Sequence, residues 1–110
     1  MELLSAEIVH RLRGNGLARA VDPFGCMAAV PVVRLYRADR GGEWFLSEIR
    51  PDDTDRAYGL MGSGRGVFHY GAVSLSALRD LRDTYGLPVQ RDAYFRPRAT
   101  LAMLCDGPGR

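Results

Sequence analysis

Between Val30 and Val73 the chain carries short apolar–polar alternations separated by turn signals, a pattern that predicts four strands. Val30 to Arg37 is rich in β-branched residues, and Pro31 suits its start or an edge. Asp39-Arg40-Gly41-Gly42 marks a turn. Glu43 to Arg50 follows, with Phe45, Ser47 and Ile49 on one face and Trp44, Leu46 and Glu48 on the other. Pro51 to Asp55 is the next turn. Arg56 to Met61 carries Tyr58 and Leu60 on one face. Gly62-Ser63-Gly64-Arg65-Gly66 forms a hairpin tip. Val67 to Val73 sets Phe68, Tyr70 and Ala72 opposite Val67, His69 and Gly71. Connections this short require antiparallel neighbours, because parallel strands need crossovers of a dozen residues or more.

Helical spacing appears on either side of these strands. Ser5 is an N-cap, Glu7 suits the first turn, and Leu4 and Val9 have hydrophobic-staple spacing. Ile8, Val9 and Leu12 give this short helix its buried stripe, and Gly14-Asn15-Gly16 is read as its stop. A second helix is expected from about Leu75 to Tyr85, capped by Ser74. Leu75, Leu78, Leu81 and Tyr85 face the sheet, while Arg79, Asp80, Arg82 and Asp83 are wet. Gly86 and Pro88 end it. Val89 to Phe95 reads as a last strand or extended arm, and Leu101 to Leu104 as a helical turn. The fold class is α+β: an antiparallel meander sheet of four or five strands, with helices mainly on one side. Residues 1–97 form the domain and 98–110 an extension that is partly disordered.

The chain has 110 residues, 46% of them hydrophobic and 25% charged, which fits one globular domain. All fifteen basic residues are Arg. A Lys-free set can reflect selection for guanidinium forks, but the many Ala, Gly and Asp residues fit a GC-rich genome better. The net charge of +2 is too small to imply nucleic acid. Cys26 and Cys105 lack metal-ligand spacing and are read as reduced thiols of a cytoplasmic protein. No secretion signal and no membrane-length apolar run is evident.

Several segments together carry a resemblance: the opening ELLSAEI, the Trp44 to Glu48 strand, the acidic turn followed by AYGLM, FHYGAVSLSAL, and GLPVQRDAYFRP. Over about Glu2 to Pro97 the chain resembles the small bacterial proteins of domain-of-unknown-function family 2958. The resemblance implies a plasmid-borne or other mobile-element origin and no established activity. Ala77 stands where the family usually has Glu, so a full capping box is lost. Gln90 stands where Glu usually precedes Arg91, which counts against a catalytic acid there.

Two groups of residues are candidates for chemistry. Arg91, Asp92 and Tyr94, with Arg65 at the hairpin tip, are candidates for partner binding, Arg91 acting as an anion fork. The ordinary alternative is that Arg91 or Asp92 fixes the last strand. Trp44, Glu48, Tyr58, His69 and Tyr70 lie on neighbouring strands and are candidates for a pocket, with His69 as general base and Glu48 as its orienter. The competing reading is an aromatic sheet face packed under helices. Asp52, Asp53 and Asp55 are turn chemistry and not an EF-hand loop. The Gly62 to Gly66 loop lacks the ending of a P-loop. No catalytic residue, metal or cofactor is assigned.

These readings favour a non-enzymatic accessory protein that binds a macromolecule, most concretely a protein component of a host defence system (anti-restriction or anti-CRISPR). The alternatives are a nucleic-acid-binding module using Arg34, Arg37, Arg56 and Arg65, and a small enzyme with a Glu48/His69 site. No membrane partner is expected.

Overall fold

The computed structural model of the protein describes residues 3–21, 29–63, 67–96 and 98–106. Helix α1 spans Ala6–Val21. Strands β1 (Val33–Tyr36), β2 (Glu43–Ile49), β3 (Arg56–Gly62) and β4 (Phe68–Ser74) follow, then helix α2 (Leu75–Asp80), strand β5 (Gln90–Arg91) and helix α3 (Leu101–Asp106). The five strands form one antiparallel sheet in the order β4-β3-β2-β1-β5. The expected α+β meander is therefore present, with β5 added at the far edge.

Cross-strand register divides the side chains between two faces. Val33, Leu35, Leu46, Ile49 and Ala57 join Leu12 of α1 and Leu75 and Leu78 of α2 in the larger core. On the opposite face Phe45 and Leu60 pack against Leu101 of α3 and Phe95. The helices α1 and α2 thus share one face, while α3 covers part of the other. Residues 98–106 belong to the folded unit, because Leu101 is fully buried and its N–H reaches the Ala29 carbonyl at 2.9 Å.

The first helix starts as the sequence indicates. Ser5 Oγ accepts the Ile8 N–H at 3.2 Å, and Leu4 and Val9 both pack onto the core. It does not stop at Gly14-Asn15-Gly16. Beyond Leu46, β2 has no β1 residue opposite it, and α1 covers that stretch instead. Asn15 Nδ2 donates to the Ser47 carbonyl at 2.9 Å. A Cβ on Gly16 would lie 1.9 Å from the Ile49 carbonyl oxygen, so glycine serves here as the point of close approach. The Gly-Asn-Gly run that reads as a helix stop lies inside a helix, with Gly16 as its contact point.

The second helix is shorter than its apolar spacing suggests. Ser74 caps it, accepting the Ala77 N–H, and Leu81 has already turned extended. Asp83 is buried and takes the N–H groups of Tyr85 and Leu87 at 2.8 and 2.9 Å. That local ring competes with helix and wins. Tyr85 is exposed as a result, where helical spacing would have turned it to the sheet. Gly86 sits at φ +78°, a conformation that favours glycine, within this turn.

Candidate functional site: a groove between two helices

The β2–β3 register slips by one residue between Leu46 and Glu48. Ser47 is the extra residue, buried, with its hydroxyl donating to the Tyr58 carbonyl at 3.2 Å. Every residue after a bulge changes face. Glu48 pairs with Tyr58, whereas Trp44 pairs with Met61, which in turn pairs with His69. Positions 58 and 61 of one strand point to opposite sides. The expected pocket is therefore split: Glu48, Tyr58 and Tyr70 share one face, and Trp44 and His69 the other. A Glu48/His69 acid–base pair does not form.

What forms around Glu48 is an ion cluster. Its side chain is 2% exposed, with Arg50 Nε at 2.9 Å and Arg19 Nε at 3.4 Å. The Arg50 guanidinium lies 3.8 Å from the Tyr58 ring centroid, and Tyr58 stacks on Tyr70 at 6.5 Å. Hydrogen bonding to Glu48 pushes the Arg50 pKa above its ordinary value. A carboxylate buried between two guanidiniums is out of reach of a substrate, so this cluster is structural.

The arginines expected to read phosphates are similarly engaged. Arg34 bonds Glu43 at 2.9 Å and Asp92 at 3.3 Å. Arg37 bonds Asp39 at 2.6 Å, and Arg56 lies 3.8 Å from Asp53. Asp39 also accepts the N–H and hydroxyl of Thr84, which with Arg37 and the Gly41 N–H holds its carboxyl well below the usual carboxylate range. Arg65 lies outside the described residues, as do Cys26 and Pro97.

The segment after β5 combines a fixed part and a free one. Asp92 is held by Arg34, accepts the Tyr94 N–H at 3.0 Å, and receives Phe95 N–H at its carbonyl. It makes the turn that carries the chain round the sheet edge, so that Phe95 reaches the α3 side. Asp92 is thus a structural residue. Tyr94 projects outward, 87% exposed. Arg91 stays on the α1 side, its Nη1 donating to the Leu3 carbonyl at 3.3 Å.

Arg91 borders a groove of about 1000 Å³ between α1 and α2. Leu3, Leu4, Val9, Ile49, Leu75, Leu78 and Val89 supply its apolar floor and walls. His10, Arg13, Arg79 and Arg91 supply its charge and potential charge, and among the described residues no Asp or Glu lines it. Arg79 is 3.7 Å from Asp55, whose carboxylate is already taken by the hydroxyls of Ser74 and Ser76 and the Ser76 N–H. Thr54 stands exposed on the same wall. Of the described residues expected to bind a partner or form a pocket, only Arg91 lines this groove. The Leu4–Val9 staple is the signal that could have pointed to it, but staple residues read as capping alone.

The architecture defines a small α+β domain with a five-stranded antiparallel sheet and an open groove on its two-helix face. The chain belongs to the family described as protein of unknown function (DUF2958), whose sequence profile matches residues 3–107. That match extends past Pro97 and takes in α3. No curated protein and no solved structure matches the chain. Among the described residues no helix is long and apolar enough to cross a membrane, and no group of three or more potential ligands could hold a metal ion.

Proposed function

We propose that the protein is a non-enzymatic binding protein that docks another protein in the groove between α1 and α2. One observation carries the reading: an apolar-lined concavity of about 1000 Å³ opens to solvent beside three arginines, with no acid among the described residues of its lining. A concavity lined mainly by apolar residues with a few charged groups at its edge is the usual form of a binding site. A protein partner fits better than nucleic acid, because Arg34, Arg37 and Arg56 are beside carboxylates already. In its most concrete form the partner is a component of a host defence system. The support for that form is the mobile-element setting that the family resemblance implies.

The test compares the tagged protein with its Thr54→Trp variant, both expressed in the native host. Thr54 is exposed, so the indole fills the groove without disturbing the core. The reading expects a partner recovered with the wild type and lost with the variant. Equal recovery with both overturns the groove as the site. Unchanged restriction and CRISPR interference in cells removes the defence form and leaves the groove reading standing.

A further inference from the structure

We infer that the occupant of the α1–α2 groove is an amphipathic helix with acidic residues flanking its apolar face. The inference rests on the binding reading above and adds the chemistry of the partner.

Two helices cover this face and leave the groove between them. The sheet has five strands, but α1 lies over β2 and α2 contributes only six residues beside β4. Helices pack about 8–10 Å apart, and a gap between two of them on a sheet is filled most simply by a third. Size agrees. A cylinder about 10 Å across occupies roughly 1000 Å³ in about 13 Å, or roughly two to three helical turns. Half-buried Leu3, Leu4 and Val9 line the groove above a floor closed by buried Ile49, Leu75, Leu78 and Val89, an apolar lining that suits the anchors of a helix-in-groove site at i, i+3 or i+4, and i+7.

Charge selects the flanks. Arg13 has no ion-pair or hydrogen-bond partner among the described residues, and Arg91 touches only a backbone carbonyl. Arg79 has only the distant, already occupied Asp55 carboxylate. These three guanidiniums stand on α1, α2 and β5, so they border the groove from different sides. A helix with Asp or Glu on both flanks would meet a fork on each side, whereas a basic one would face three like charges.

The experiment selects binders to the full chain from two displayed libraries, one of single helices and one of extended peptides interrupted by proline. The inference expects binders from the helical library, with apolar residues at i, i+3 or i+4, and i+7 and a net acidic flank. Their affinity should fall about tenfold on Arg13→Glu or Arg79→Glu and should weaken as salt rises. They should be lost on Thr54→Trp. Enrichment from the proline library instead, or of basic helices, overturns the inference. So does saturable one-to-one binding of oleate with no peptide enriched, which would make the ligand a long-chain carboxylate. If no acidic helix is selected but the native partner is still lost on Thr54→Trp, the chemistry is wrong and the binding reading survives. If the native partner ignores Thr54→Trp, the reading itself fails.

Discussion

The two faces of the sheet treat arginine in opposite ways. On the α3 face, Arg34 and Arg50 lie against carboxylates and aromatic rings, and both are spent on holding strands and turns together. On the α1–α2 face, Arg13 and Arg91 have no carboxylate partner among the described residues and border an apolar-lined groove. A guanidinium already forked to an acid stabilises the fold and offers little to a partner. One left beside an open groove does the reverse. The count of arginines in a sequence therefore says less about function than the count of acids near each one.

The most damaging test of this contrast is to break the closed face. Glu48→Ala would leave Arg50 and Arg19 facing a void in the sheet, and should cost about 3–5 kcal/mol, read from urea unfolding. A cost under about 1 kcal/mol would show that the cluster is not structural, since that is the range of exposed pairs. Next comes the seam between α1 and β2. Gly16→Ala pushes a methyl into the Ile49 carbonyl and should cost about 1–3 kcal/mol or more. Gly14→Ala, two residues away, meets nothing within 4 Å and should instead stabilise by about 0.5–1 kcal/mol. Opposite signs for two glycines in one helix would confirm that α1 is continuous; destabilisation by both would contradict it.

Acid should act on the closed, carboxylate-rich contacts. The Asp39 carboxyl is held well below its ordinary range, so its contribution is fully present above the unfolded pKa of about 4 and fades as pH falls towards the depressed folded value. Asp55, lowered by the hydroxyls of Ser74 and Ser76, acts in the same direction. Asp39→Asn should be less stable than wild type at pH 7, and its unfolding midpoint should change less between pH 5 and pH 2. The smallest stability effect is expected on the open face, where Thr54→Trp and Arg13→Glu should each stay within about 0.5 kcal/mol of wild type.

Much of the frame was legible in the chain. Turn residues at Asp39–Gly42 and Pro51–Asp55 placed the meander, and Ser5 and Ser74 cap the helices as their spacing suggests. The candidate pocket was not legible, because one bulged residue at Ser47 reverses the side on which Glu48 lies. Period-two alternation has no means of announcing an insertion, so it places Glu48 on the Trp44 face. Gly14-Asn15-Gly16 misled for a related reason: only a neighbouring strand shows that a small residue is there for contact. Asp83 looked like a wet helical position, yet its carboxylate organises the turn that ends α2 early. The groove depends on three elements distant in sequence and has no local signature.

The central claim is that the α1–α2 face, not the α3 face, receives the partner. Amide chemical shifts of the isotope-labelled protein, recorded with and without a selected acidic helix, test it most directly. The account predicts perturbations confined to Leu3–Arg13, Ile49, Thr54, Leu75–Arg79 and Val89–Arg91. Perturbations centred on Phe45, Leu60 and Leu101 would contradict it.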